Sequence, residues 1–295
     1  MIVEGVVDLH IHSHFSCDGD FSPAELVSMA RDHGFRAIAI ADHDTVGAYP
    51  EAISDGEKAG VEVIPSIEIT TVFDGREFHL QLPFVNWSSP AIHHIINYMT
   101  ESRLKEAKTR VELLKRQGFN LEWGEIWEKC GGIPPLGVKI ARVLLERPES
   151  RQHPLLKKYY DSQSQVFAPY LFYQDYFMEG GLAFVPKNHI SLEEVLRLAP
   201  GTGGVPVLSH PGAYFQRTTR EDLISLKSLG LQGLEVYTSY HQPEQVEIYR
   251  ALADELDLIA TAGSDFHGQI KPRVYFGLIQ EGNYDMVNKL RERKG

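Results

Sequence analysis

Histidines and acidic residues recur in this chain at four places. The first is Asp8-Leu9-His10-Ile11-His12-Ser13-His14, followed by Ala41-Asp42-His43-Asp44-Thr45, then Ser209-His210-Pro211, and finally Gly263-Ser264-Asp265-Phe266-His267-Gly268. Imidazole nitrogens and carboxylate oxygens hold zinc, manganese or iron. Each cluster directly follows a short apolar run, which places it at the carboxyl end of a strand, where barrel enzymes build active sites. His10 and His12 stand two apart, so on a strand both imidazoles face the same way and can reach one ion, while Ile11 turns into packing. Asp265 and His267 repeat that spacing. Glu68 closes another apolar run and could bridge two ions with its two oxygens.

Taken singly, each piece is ordinary. A His-x-His strand is more often packing than a metal site, and Asp42-His43 could be a loop cap. His33, His93, His94 and His153 have no comparable context and read as structural. Four clusters, each after a predicted strand, point together to a metalloenzyme. A close pair of divalent ions suits phosphoryl chemistry, because it clamps the attacking and leaving oxygens and activates water near neutral pH.

The elements that must position these groups follow a repeating pattern. Residues 5–11 read as a first strand. Ser22-Pro23-Ala24-Glu25 opens a helix with a capping box and a proline in its first turn, and Gly34 ends it. Ala37–Ala41 is a second buried strand, Val61–Ile64 a third, and Phe78–Val85 another. This alternation implies a parallel sheet or barrel. It stops near Trp87. Residues 90–118 carry a helical pattern with Ile92, Ile95, Ile96 and Met99 at helix spacing. Helical, aromatic-rich sequence continues to about Gly180, including Tyr159, Tyr160, Phe167, Tyr170, Phe172, Tyr173, Tyr176 and Phe177. Strands resume at Leu182–Val185, Val205–Leu208, Leu234–Tyr237 and Leu258–Thr261. Ser191-Leu192-Glu193-Glu194 is a second capping box, and residues 284–293 form a terminal helix. The division expected is a barrel domain of residues 1–88 and 181–295 around a helical insertion of residues 89–180.

The motifs resemble those of the PHP (polymerase and histidinol phosphatase) family of metal-dependent phosphoesterases. The matching stretches are Asp8-Leu9-His10-Ile11-His12-Ser13 with Ser16-Cys17-Asp18-Gly19, Asp42-His43-Asp44-Thr45, His210-Pro211 and Gly263-Ser264-Asp265-Phe266-His267-Gly268. Ile67-Glu68-Ile69 and Gly233-Leu234-Glu235-Val236-Tyr237 also fit. The likeness covers almost the whole chain and is greatest to the stand-alone branch acting on nucleotides or short oligoribonucleotides, which carries a helical insertion before His-Pro. It implies an α/β fold, a distorted (β/α)7 barrel, and two to three divalent ions (Mn2+, Fe2+ or Zn2+). Carried over by position, the resemblance gives one ion site from His10, His12, Glu68 and Asp265, a second from Glu68, His79 and His210, and a third from Asp18, His43 and His267. The sequence after His79 departs from the family, reading Gln81-Leu82-Pro83. Cys17 stands where serine is usual and reads as a small buried thiol. His14 reads as a solvent-facing imidazole beside the site. Catalytic roles fall to Asp265, Glu68 and His241, the last as a phosphate contact or proton donor.

The insertion is the natural source of substrate contacts. Arg103 and Arg110 lie on its long helix, and Lys139 and Arg142 lie in Gly137-Val138-Lys139-Ile140-Ala141-Arg142. Relatives tend to carry Arg and His where this chain has Gly137 and Lys139, which implies a different phosphate grip. The aromatic cluster could stack a base or pack the insertion's own core. The 295-residue chain has a formal net charge of -11, which disfavours binding to long nucleic acid. The middle stretch, residues 91–190, is the exception, with 14 Lys and Arg against 11 Asp and Glu. Cys17 and Cys130 form no disulfide framework, and with no signal peptide or membrane span the expected setting is the cytoplasm. The expected partner is a small phosphorylated substrate or a short oligonucleotide, with no membrane and no protein partner. Two other readings stand beside nucleotide hydrolysis: a small-metabolite phosphatase such as one for histidinol phosphate, and a catalytically inactive metal-binding module. All nine candidate ligand positions hold competent residues, which argues against the last.

Overall fold

The computed structural model describes residues 6–161 and 167–294. In chain order the elements are β1 (Val7–Ile11), α1 (Pro23–Asp32), β2 (Ala37–Ile40), α2 (Glu51–Ala59), β3 (Glu62–Pro65), β4 (Glu68–Phe73), β5 (Arg76–Gln81), α3 (Pro90–Arg116), α4 (Trp123–Lys129), α5 (Gly137–Glu146), α6 (Ala168–Phe177), α7 (Leu192–Thr202), β6 (Val207–Leu208), α8 (Arg220–Ser228), β7 (Gly233–Thr238), α9 (Pro243–Glu255), β8 (Ile259–Gly263) and α10 (Tyr284–Arg293). Residue 5, where the first strand was expected to begin, lies outside the described residues. None of the described helices is long and apolar enough to cross a membrane.

Contacts divide the chain into two compact units, Met1–Asn97 with His189–Gly295, and Tyr98–Asn188. The expected divisions, after residues 88 and 180, stand earlier in the sequence. In the first unit β1, β2 and β3 form a parallel sheet. Val7 and Leu9 pack into a core with Ala37, Ala39, Ile64 and Val207, and the β1-β2 register shifts between Asp8 and Ile11. Ile11 joins a second core with Leu26, Ile38 and Ile40. Both faces of β2 are therefore covered, which is why Ala37-Ile38-Ala39-Ile40 is an unbroken apolar run. Burying each such isoleucine is worth about 1.5–3 kcal/mol. Helix α1 begins at the predicted place, with Ser22 and Glu25 forming the capping box. At α7, Ser191 accepts from the Glu194 amide as expected of its half of a box.

The remaining strands form a second sheet in the order β4-β5-β6-β7-β8. Here the structure departs from the expected barrel. The fold is α/β, but strand pairing gives two sheets rather than a closed (β/α)7 ring, and β4-β5-β6 are antiparallel. The cause is local. Asp74 and Gly75 both adopt positive φ, 47° and 71°, the geometry of a two-residue hairpin turn. A hairpin therefore stands where a strand-helix-strand unit was expected. Single bridges, Ile11 to Phe266 and His43 to Glu68, link the two sheets. The strand expected at Leu182–Val185 is absent. The Ala183 and Phe184 amides instead donate to Tyr176 O and Gly181 O in turns after α6.

In the 98–188 unit the aromatic residues form the core. Phe172, Phe177 and Tyr159 are fully buried, and the Phe172 ring stacks on Tyr176 at 4.3 Å. Tyr159 donates to Asp175 at 2.5 Å. Of the two roles open to this cluster, packing the unit's own core is the one these contacts display.

Candidate metal centre

The first unit brings all nine expected ligand residues to one place. His10 and His12 come from the end of β1, Asp18 and His43 from the loops after β1 and β2, and Glu68 and His79 from the β4-β5 hairpin. His210 follows β6, and Asp265 and His267 follow β8. Glu68 sits at the middle. Its Oε1 lies 3.3 Å from His10 Nε2, 3.2 Å from His79 Nδ1 and 3.1 Å from His210 Nε2. Its Oε2 lies 3.4 Å from His12 Nε2 and 3.1 Å from His43 Nδ1. Asp265 Oδ1 stands 3.1 Å from His12 Nε2, and Asp18 Oδ2 3.7 Å from His267 Nε2.

Ligand atoms converge in three groups: His10, His12, Glu68 and Asp265; His12, His43 and His267; and His43, Glu68 and His79. The first group is the one inferred from the resemblance. The other two differ in detail, because His12 and His43 lie between neighbouring groups and are shared by them.

Hydrogen bonds fix which nitrogen His10, His12 and His267 turn inward. Glu235 Oε1 accepts from His10 Nδ1 at 2.9 Å. Ser16 Oγ donates to Asp42 at 2.7 Å, so it accepts from His12 Nδ1 at 2.9 Å. His267 Nδ1 donates to Asp265 O at 2.9 Å. Each ring thus presents its Nε2 lone pair to the centre, the arrangement that orients metal-ligating histidines. Several inward atoms have no hydrogen-bond partner although buried: His43 Nδ1, Glu68 Oε2, Asp265 Oδ1, His267 Nε2 and Asp18 Oδ1. Leaving a buried polar atom unsatisfied costs about 1–3 kcal/mol. A divalent cation would satisfy these lone pairs together, and the mixed nitrogen and oxygen set suits zinc, manganese or iron. The residues fit the group.

Charge coupling in the centre is strong. Burial opposes ionisation of Glu68, yet His10 and His79 outweigh it and hold its carboxyl well below the usual range. Burial likewise opposes Asp265, which Lys271 and His267 hold low. Burial disfavours a proton on His10, but Glu68, Glu235 and Asp265 push its pKa well above normal. Burial and then His43 lower His12 to about 3. Burial pushes the Asp18 carboxyl up. Two ligands also sit on left-handed backbone, His210 at φ 27° and Asp265 at φ 58°. Such conformations cost about 1–3 kcal/mol each and persist where their surroundings over-determine them.

The other expected site residues are not members of these groups. His241 Nδ1 donates to Val236 O at 2.8 Å, and Nε2 accepts from the Gly212 amide at 2.9 Å. Both ring nitrogens are thus engaged by the fold, and burial lowers its pKa. Arg103, Lys139 and Arg142 belong to the 98–188 unit. Arg142 donates to Glu146 one turn on, at 3.0 Å. Arg110 is buried against Glu106 at 2.6 Å and beneath the Phe177 ring. His14 is exposed and Cys17 is buried, both as expected.

Sequence reasoning assigned no role to Glu235, Ser16, Asp42 or Lys271. Glu235 could have been found as a lone acid inside the apolar strand Gly233–Thr238, where a charge is costly unless partnered. Gly263 lies against the same pair. A Cβ there would collide with the His10 side chain and Glu235 Oε1.

Residues 8–134 match the PHP domain family. That stretch is similar to a PHP domain. Full-length relatives agree in extent. The 5'-3' exoribonuclease of Haemophilus influenzae is 28% identical over 88% of this chain and 89% of its own length. The 3',5'-nucleoside bisphosphate phosphatase of Chromobacterium violaceum is 27% identical over 88% and 87%. Among solved structures, one from Bifidobacterium adolescentis, described as a candidate metal-dependent phosphoesterase, superimposes with a TM-score of 0.84 at 29% identity. It covers 99% of this chain and 97% of its own. The matched residues hold His10, His12, Asp18, His43, Glu68 and His79 of the cluster.

Proposed function

We propose that the protein is a metal-dependent phosphoesterase. It hydrolyses phosphate esters of nucleotides, 3',5'-bisphosphonucleotides or short oligoribonucleotides with metal-activated water. The observation that carries this reading is the buried set of histidine and carboxylate atoms turned inward without hydrogen-bond partners. The substrate class rests on the likeness to the exoribonuclease and the bisphosphate phosphatase.

His10, His12, Glu68 and Asp265 would hold one ion, with Glu68 shared toward His79 and His210, and Asp18, His43 and His267 completing the set. Two or three divalent ions (Mn2+, Fe2+ or Zn2+) held here would polarise phosphoryl oxygens and lower the pKa of water. The protein's part is positional. Glu235 and Ser16 fix the tautomers of His10 and His12, and Glu68 and Asp265 supply charge inside a buried cluster. His241 is assigned here to holding the Gly212 loop next to His210, because both its nitrogens are engaged there. Lys139, Arg142 and Arg103 are proposed to grip the substrate, a reading supported by the basic balance of residues 91–190. The bridges joining the two sheets favour reading the fold as a strongly distorted barrel. A cytoplasmic setting suits a nucleotide substrate and the absence of paired cysteines.

The test is phosphate release from nucleotides, 3',5'-bisphosphonucleotides, short RNA and sugar phosphates by protein reconstituted with Mn2+, Fe2+ or Zn2+, beside elemental analysis. Bound metal with hydrolysis of the nucleotide substrates is expected. Less than about one ion per chain after reconstitution would refute the ligand reading. Turnover confined to sugar phosphates would move the substrate to the small-metabolite class.

A further inference from the structure

The loop after β8 carries a cation that the nine-ligand scheme does not use. Lys271 Nζ contacts Asp265 Oδ2 and lies 3.2 Å from the Tyr240 hydroxyl. Asp265 is thereby divided. Its Oδ1 faces His10, His12 and His267, while its Oδ2 faces the ammonium. The charge of Lys271 is felt within the cluster, by Asp18 and His267 as well as by Asp265.

Three loops converge on this point. His210 follows β6, Tyr240 follows β7 and Lys271 follows β8. The Tyr240 ring leans on His210, centroids 4.8 Å apart. Backbone bonds anchor the lysine on both sides, Lys271 N to Gly268 O at 3.2 Å and Val274 N to Lys271 O at 2.8 Å. The Lys271 side chain keeps 13% of its surface accessible, whereas Asp265 keeps 1%. The ammonium thus stands on the solvent side of a carboxylate whose other oxygen is buried among histidines.

We propose that Lys271, steadied by Tyr240, is a phosphate-binding residue of this site, contacting a non-bridging oxygen of the substrate's phosphoryl group. The inference rests on the phosphoesterase reading above. A lysine recognises phosphate as a point charge, and a cation fixed in advance where negative charge gathers needs no reorganisation when substrate arrives. The competing role is purely structural: Lys271 would only orient Asp265 and so act through metal retention.

The experiment uses the full-length protein reconstituted with Mn2+. It reads inorganic phosphate binding by calorimetry, metal content by elemental analysis, and kcat and KM separately. Lys271→Ala should weaken phosphate binding by about 10-fold or more, the scale of one charge-assisted hydrogen bond, with metal content unchanged. Lys271→Arg should recover part of that loss. Tyr240→Phe should weaken phosphate binding less, in the same direction, and gives a reading should Lys271→Ala fail to fold. Unchanged phosphate affinity in metal-replete Lys271→Ala, or a loss that tracks lost metal, overturns the proposal. A wild-type protein that binds phosphate but cleaves no ester would instead sink the phosphoesterase reading, while the phosphate isotherms still decide the role of Lys271.

Discussion

In the unit built from residues 1–97 and 189–295, the inaccessible side chains include His10, His12, Glu68 and His267, all at 0% exposure. In the 98–188 unit they are Phe172, Ile140, Leu114 and Leu156, also at 0%. Ionisable groups are ordinarily kept near water, because burying one without partners costs several kcal/mol. The second unit buries charge as an opposite-sign pair. Its buried pair, Arg110 with Glu106, is matched charge for charge and covered by rings. In the first unit buried ionisable groups gather in the cluster, where His43 Nδ1, Glu68 Oε2, Asp265 Oδ1, His267 Nε2 and Asp18 Oδ1 lack hydrogen-bond partners. Buried apolar rings tell how a unit holds together; buried unsatisfied ligand atoms tell what it is built to bind.

Substitutions on either side of this contrast should fail in different ways. Phe172→Ala removes a fully buried ring from the second unit and should cost about 3–5 kcal/mol in a denaturant melt, without altering the ligand set. A loss below about 1 kcal/mol would show that the aromatic cluster is not the core of that unit. Asp265→Asn should lower kcat by about 10²-fold or more while the melt stays near wild type. The amide keeps the shape but removes a charge that three histidines and Lys271 face. An active, normally folded Asp265→Asn enzyme would mean that this carboxylate is only a loop cap.

The smallest expected effect sharpens the contrast from outside the cluster. Asp222 pairs with Arg76 at 2.6 Å near the surface of the first unit. Burial opposes its charge, but Arg76 and Thr219 hold its pKa below the ordinary 3.8. A depressed aspartate stabilises the fold above its unfolded pKa and loses that contribution as pH falls through the folded one. Asp222→Asn should therefore cost about 1 kcal/mol at pH 7, with the gap closing below about pH 4. A gap that persists at pH 3 would assign the effect to the α8 cap instead.

The residues that converge in the cluster were legible because strand geometry converts sequence spacing into direction. His10 and His12 had to share a face, and the apolar runs before Asp42, His210 and Asp265 marked strand ends. What spacing could not convey was contact between distant segments. Glu235 is 225 positions from His10, and Ser16 reaches Asp42 across 26. Strand pairing departs from a regular closed barrel for a local reason. Asp74-Gly75 is a hairpin signal between two runs that form strands, but Phe78–Val85 was read alone and its partner β4 was missed. Leu182–Val185 looked like a strand by composition, yet Gly180, Gly181 and Pro186 bracket it with turn formers, and turns are what it makes. In the insertion, Lys139 and Arg142 carried no such directional constraint, since a charge on a helix face is compatible with water alone.

The β4-β5 hairpin has a consequence for how this sequence tolerates change over time. Pairing sets Thr70 opposite His79 and Glu68 opposite Gln81, so Glu68 and His79 share a face across an eleven-residue step. Because side chains alternate, it is the parity of that step that matters. Gaining or losing one residue at Asp74-Gly75, with the ladder shifting to absorb it, would turn His79 to the opposite face while every ligand remained spelled out in the gene. Among descendants of this chain, a silent copy could keep all nine candidate ligand codons and betray itself only by an even step from Glu68 to His79.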